Sequence, residues 1–195
     1  MRARGMGPVL LALVMLPIAA APALAQYRRP PGVPRYSRGF ELSPYLTFDE
    51  FQEKAQLNDE VGLGFRFGYL YSPYHEIELM LNGVGTHDNV PGFGERVDLS
   101  NFQVAYVFNF TKKDIVPYVT AGIGFLHSDD ADLGTETDFV RAFGGGIRLF
   151  MGRNFFARFE VRENYFKGQG TVWFDGEGQW VRESLFGVGW RYGLP

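Results

Sequence analysis

Residues 61–71 read Val-Gly-Leu-Gly-Phe-Arg-Phe-Gly-Tyr-Leu-Tyr, and their order decides the fold. Val61, Leu63, Phe65, Phe67, Tyr69 and Tyr71 hold the odd positions, while Gly62, Gly64, Arg66 and Gly68 hold the even ones. Side chains of an extended strand alternate between its faces with period two, so this segment is a strand with one apolar face and one small or charged face. The split recurs downstream. Phe143, Ile147 and Leu149 stand against Gly144, Gly146 and Arg148; Phe155, Ala157, Phe159 and Val161 against Arg158, Glu160 and Arg162; Phe186, Val188 and Trp190 against Gly187, Gly189 and Arg191.

Reading outward from these runs gives eight strands: Gly39 to Phe48, Val61 to Tyr71, His75 to Leu81, Val97 to Phe110, Ile115 to Phe125, Phe139 to Phe150, Phe155 to Tyr165 and Trp180 to Tyr192. Their connections alternate in length. Ser72-Pro73-Tyr74, Thr111 to Asp114 and Met151 to Asn154 are tight turns, whereas Asp49 to Glu60, Asn82 to Arg96, Leu126 to Asp138 and Phe166 to Gln179 are long and polar. An even-stranded up-and-down barrel gathers short turns at one end and long loops at the other, the asymmetry of outer-membrane barrels, with both chain ends on the short-turn, periplasmic side. The expected fold is all-β, an eight-stranded antiparallel up-and-down transmembrane β-barrel.

Alternation alone does not say which face is inside. A soluble barrel would turn the apolar faces inward. Two features favour the membrane arrangement: the polar face is paved with glycine, which suits a crowded lumen, and Phe48, Tyr69, Tyr71, Phe108, Phe110, Tyr165, Trp180, Trp190 and Tyr192 collect at strand ends, where interfacial girdles lie.

The amino terminus reads as an export signal. Arg2 and Arg4 precede an apolar stretch, Val9 to Ala21, too short to span a bilayer, and Ala23-Leu24-Ala25 forms a small-x-small cleavage site before Gln26. Residues 1–25 are therefore set apart from the fold. Residues 26–38, with Pro30, Pro31 and Pro34 among Arg28, Arg29, Arg35 and Arg38, read as a loose Pro/Arg-rich periplasmic tail that either rests on anionic lipid or has no role. Gly39 to Gly193 is the barrel domain. Without Arg2 and Arg4, 17 basic residues face 22 acidic ones, a balance that gives no sign of nucleic-acid binding. The chain has no cysteine, which excludes a disulfide framework and thiolate chemistry, and no cofactor is implied.

With the polar faces inward, the lumen receives Glu41, Arg66, Glu76, Glu78, Arg148, Arg158, Glu160, Arg162 and Arg191. Charges withdrawn from water must be paired or hydrogen-bonded, and guanidinium forks suit carboxylates. Five arginines and four glutamates thus predict an ion-pair network threaded by Gln103, Asn109, Tyr118 and Thr120. Such a network is either a plug that holds the barrel's shape or a gate whose rearrangement admits ions; an eight-stranded lumen, just wide enough for side chains to fill, favours the plug.

The runs Val116-Pro117-Tyr118-Val119-Thr120-Ala121-Gly122-Ile123-Gly124-Phe125, Phe143-Gly144-Gly145-Gly146-Ile147-Arg148-Leu149 and Gly187-Val188-Gly189-Trp190-Arg191-Tyr192 carry a resemblance to the small eight-stranded outer-membrane barrels, the family of the OmpA transmembrane domain and OmpX. The resemblance implies a place in the Gram-negative outer membrane, assembly by the barrel-insertion machinery acting on Tyr192 or Trp190, and a monomer. It does not imply an activity, since this plan hosts adhesins, enzymes and inert scaffolds. Outer-membrane lipid A deacylases of similar shape use a His, Ser and acid trio. Here His127 is followed by Ser128, and adjacent strand residues point to opposite faces, so no enzyme is expected.

The loops give weaker candidates. Asp129, Asp130 and Asp132, with Glu136 and Asp138, crowd one outer loop; they are candidate divalent-metal ligands but lack the spacing of a calcium loop, and no metal site is expected. Arg141 and Arg182 share lipid-facing parity above the apolar band, where a guanidinium either pairs with lipopolysaccharide phosphate or is a plain interfacial arginine. The expected role is structural or surface-interacting in the envelope. A narrow porin-like passage for small solutes or apolar molecules comes second and a membrane-embedded lipid A hydrolase third.

Overall fold

The computed structural model describes residues 38–51, 59–87, 96–130, 134–151, 154–167 and 178–194. Residues 1–25, which the sequence reads as an export signal, and most of the Pro/Arg-rich segment 26–38 lie outside them. Eight strands form: β1 Gly39–Phe51, β2 Glu60–Leu70, β3 His75–His87, β4 Arg96–Asn109, β5 Ile115–Asp130, β6 Gly134–Phe150, β7 Phe155–Lys167 and β8 Gly178–Gly193. Each pairs antiparallel with its neighbours in sequence, and β1 pairs with β8 from Gly39↔Gly193 to Phe51↔Val181 to close the barrel. Among the described residues no helix is long and apolar enough to cross a membrane.

The polar faces are inside. Leu63, Phe65, Leu81, Ile123 and Phe143 are exposed on the wall, while Arg66, Glu78, Arg148, Glu160 and Arg162 are buried. The glycines between them make room for the lumen's large side chains. A Cβ on Gly64 would lie within the Tyr45 ring, one on Gly146 would press on the Tyr118 hydroxyl, and one on Gly189 would enter the Phe156 ring. Aromatics form two outer belts. Phe40 stacks on Phe67 and Phe155 packs against Trp190 at the turn end; Phe143 and Tyr165 pack against Trp180, and Phe125 against Phe139, towards the loop end. Tyr165, Trp180 and Trp190 among them are amphipathic rings of the kind that sits at a bilayer interface.

Side-chain hydrogen bonds fix the tight turns. Ser72 Oγ accepts from the amides of Tyr74 and His75, and Thr111 Oγ1 donates to the carbonyl of Ile115. The closing seam carries a local repair. Pro44 has no N–H, and the β1–β8 ladder skips Ser43 and Pro44; the Ser43 hydroxyl donates instead to the carbonyl of Val188 at 2.9 Å.

The strands run further at the loop end than the sequence pattern predicts. Leu126 to Asp138 is not a long loop: the ladder continues from Leu126↔Asp138 to Asp130↔Gly134. β3 reaches His87, opposite Arg96, and β7 reaches Lys167, opposite Gly178. The physical reason is that an antiparallel ladder is held by backbone groups, which pair whether or not the side chains alternate in polarity. Towards the loops the outward face turns polar, with His127, Asp129 and Thr137, and the apolar alternation fades while the ladder persists.

Candidate functional site

The turn-side and central lumen is filled by guanidinium and carboxylate groups from facing walls. Glu160 on β7 is the hub. It receives Arg66 Nη1 at 2.8 Å, Arg158 Nη2 at 2.7 Å and Arg162 Nη2 at 2.6 Å, and the Tyr118 hydroxyl donates to it at 2.6 Å. Glu78 on β3 receives Arg148 Nη2 at 2.8 Å and both terminal nitrogens of Arg158. Arg158 is on β7, four strands from β3 in a ring of eight, so this bidentate pair spans the full width of the lumen.

The rest of the network locks onto these two centres. Arg148 Nη1 meets Glu76 at 2.7 Å and Asn109 Oδ1 at 3.2 Å, and Arg191 bonds Glu41. Arg162 Nη1 donates to Gln103 Oε1 at 2.7 Å, and Gln103 Nε2 donates to Asn164 Oδ1 at 2.9 Å, a second tie between β7 and β4. Tyr118 lies under the guanidinium planes of Arg158 and Arg148, 4.4 and 4.9 Å from its ring centroid, and Tyr45 lies under Arg66 at 4.7 Å. Glu41, Glu76 and Glu78 bring their oxygens within 4.8 Å of one another, a spacing that a metal ion would also suit. Arg148 reaches all three, so the neutralising charge there is a guanidinium. Thr120 is buried, but its hydroxyl has no hydrogen-bond partner, so it does not thread the network.

Above and below this network the lumen turns apolar, a feature the sequence reading missed. Val116, Phe150 and Phe156 close the turn end, and Arg191 lies over the Phe150 ring at 4.5 Å. Towards the loops, Val84, Leu99, Leu126, Val140, Phe166 and Val181 form an inward-facing collar. Between the collar and the network sit two buried carboxylates, Asp49 and Glu183, with Asn82, Asn101 and Asn164 beside them. Continuing the period from Glu41 along β1 and from Arg191 along β8 would have put both acids inside.

The remaining candidates are scattered. His127 is exposed on the outer wall, its Nδ1 2.9 Å from Thr137 Oγ1, while Ser128 is buried on the opposite face. The acidic residues of the β5–β6 hairpin do not converge: Asp129 points outward and Asp138 inward, so parity divides the candidate metal ligands between two faces. The Asp130 side chain and Asp132 lie outside the described residues. Arg141 and Arg182 are both exposed on the outer wall; Arg182 pairs with Glu163 at 2.7 Å, and Arg141 lies 6.0 Å from the Phe139 ring centroid.

This architecture has solved relatives. Neisserial surface protein A superposes with a TM-score of 0.62 at 14% identity, over 80% of this chain and 97% of that one. OprG of Pseudomonas aeruginosa superposes with a TM-score of 0.52 at 14% identity, over 82% of this chain and 98% of that one. At that identity the likeness is one of fold. No curated protein matches the sequence. The model of the outer membrane protein beta-barrel domain family matches residues 10–192. With polar faces turned inward, aromatic belts outside and the family pattern running through all eight strands, the chain belongs to the outer membrane protein beta-barrel domain family and is an outer-membrane barrel.

Proposed function

We propose that this chain is a monomeric, non-conducting outer-membrane barrel whose role is structural or surface-interacting, exported by residues 1–25 and carrying both termini on the periplasmic side. The observation that carries this reading is the ion-pair network crossing the lumen. Arg158 and Glu78 join opposite walls, and Glu160 gathers three guanidiniums between them. Ions passing here would have to break charge-assisted bonds buried away from water, so the plug is favoured over the porin-like passage.

The outer wall supplies the contacts with the envelope. Arg141 and Arg182 lie near the loop-end belt of Phe139, Tyr165 and Trp180, at a height where lipopolysaccharide phosphates accept bidentate guanidinium bonds; Arg182 would exchange Glu163 for phosphate. Tyr192 and Trp190, both exposed on the last strand, are the groups offered to the insertion machinery. A hydrolase is disfavoured because His127 and Ser128 face opposite sides of the wall. Two hydroxyl residues share the face of His127, Thr137 at 2.9 Å and Ser100, its Cα partner on β4, and acyl analysis of lipid A from Ser100→Ala and His127→Ala strains would expose any activity of a Ser100–His127 pair.

The test is expression of the full chain in a Gram-negative host, followed by membrane fractionation and gels of boiled and unboiled samples. Cleavage after Ala25, outer-membrane recovery and a heat-dependent band shift support the reading. A soluble periplasmic protein without a shift would overturn it.

A further inference from the structure

We propose that the loop-side half of the lumen is a binding site for an organic primary ammonium, its charge held by Asp49 and Glu183 and its hydrocarbon body by the apolar collar above them. The site goes beyond the structural role and requires no conduction, because the network beneath it closes the lumen. It is a blind vestibule.

The two acids form an anomaly in this barrel. Asp49 and Glu183 are Cα partners across β1 and β8, both point inward, and they are 5% and 3% exposed. Directly opposed side chains on one face of a sheet stand about 4.5–5.5 Å apart at Cβ, and like charges placed so repel. Deeper in the lumen every glutamate meets a guanidinium. Here none of the described basic side chains bridges either acid. Asp49 accepts one bond, from the Thr47 hydroxyl at 2.5 Å. Glu183 Oε1 accepts long bonds from Asn82 Nδ2 at 3.3 Å and Asn101 Nδ2 at 3.5 Å, and its Oε2 has no partner. Arg162, the Cα partner of Glu183 on β7, is turned away to Glu160, Gln103 and Met80. A buried carboxylate pair without a counter-charge takes up either a proton or a cation from outside.

The space fits such a group. A cavity of about 30 Å³ is lined by Asp49, Glu183 and Asn164 and equally by the six collar residues, room for about two water-sized groups. That holds an ammonium and the carbon bonded to it. Three N–H donors on an ammonium suit the free Glu183 oxygen and the Asp49 carboxylate. Asn164 Nδ2, also unpartnered, is a donor in the same space for an oxygen carried next to the ammonium. The collar selects against a hydrated metal ion. Val84, Leu99, Leu126, Val140, Phe166 and Val181 line the same cavity and offer hydrocarbon where a hard divalent cation needs six or more oxygens; an alkyl chain longer than one carbon enters by parting them and gains by burial there.

The experiment uses the full chain folded in octyl glucoside micelles, with the side-chain amide NMR signals of Asn82, Asn101 and Asn164 followed while butylammonium, butanol or calcium is added at constant ionic strength. Butylammonium is expected to give saturable shifts, and butanol or calcium at the same concentration none. Glu183→Gln is expected to weaken butylammonium binding at least tenfold, and Asp49→Asn combined with Glu183→Gln to abolish it, in samples that keep the heat-dependent band shift. The wild-type titrations decide the question by themselves should a variant fail to fold. No saturable shift with butylammonium, an equal response to butanol or calcium, or unchanged affinity in the folded double variant would overturn the proposal.

Discussion

Replacing Glu160 with glutamine keeps the side chain's shape and removes the charge on which three buried guanidiniums converge. Arg66, Arg158 and Arg162 stand 2.6–2.8 Å from its oxygens, and Glu160 itself is 0% exposed. After the change the three cations are left in the lumen with one carboxylate fewer, and the new amide presents a donor to groups that can only donate. Breaking a buried pair in this way costs about 3–5 kcal/mol, roughly 150- to 5,000-fold in the folding equilibrium. The control is Glu163→Gln. Its partner Arg182 has a side chain 56% exposed, and an exposed pair contributes about 0–1 kcal/mol. Urea titration of the chain refolded into lipid vesicles, read by the band shift on unboiled gels, separates the two. Adding Arg162→Met to Glu160→Gln should recover part of the loss, since it removes one of the stranded charges. A loss below about 1 kcal/mol for Glu160→Gln, indistinguishable from the Glu163→Gln control, would refute the assignment of Glu160 as the hub.

Three further outcomes follow from the packing and the outer wall. Gly64→Ala places a methyl within the Tyr45 ring and should cost about 1–3 kcal/mol in the same titration, with Tyr45→Leu in the same chain restoring most of it. Ser43→Ala strips the Val188 carbonyl of the donor that stands in for Pro44 and should cost about 1–3 kcal/mol, with faster hydrogen exchange along the β1–β8 seam than along β2–β3. His127→Ala should leave the acyl pattern of lipid A from the host unchanged by mass spectrometry, because the serine next in sequence faces the other side of the wall.

The parts of this structure legible in the sequence are those governed by period two within the bilayer. Val61 to Tyr71 shows its lipid-facing and lumen-facing residues directly, and the parity of Arg148, Arg158 and Glu160 puts them on the glycine side, where the structure has them. Which charges meet is a different matter. Arg158 reaches Glu78 across four strands because barrel closure brings β3 opposite β7, and the strand stagger that sets their relative height leaves no trace in any single strand. The vestibule was hidden for a second reason. Leu126, Val140, Phe166 and Val181 are apolar yet face inward, which reverses the polar-in pattern at the point where the strands approach water. Asp49 follows Phe48, where the apolar alternation of β1 fades, and so it reads as the start of a loop although its ladder continues to Phe51. The inward Phe150 and Phe156 reverse the pattern in the same way at the turn end.

The most direct test of the closed lumen is single-channel recording of the purified chain in planar bilayers at both voltage polarities. Bonds joining opposite walls predict a silent bilayer, and they predict that Glu78→Ala combined with Glu160→Ala, where folded, produces discrete conductance steps. Discrete steps from the wild-type chain that disappear on Arg158→Ala would contradict the account and assign the network to a conducting path.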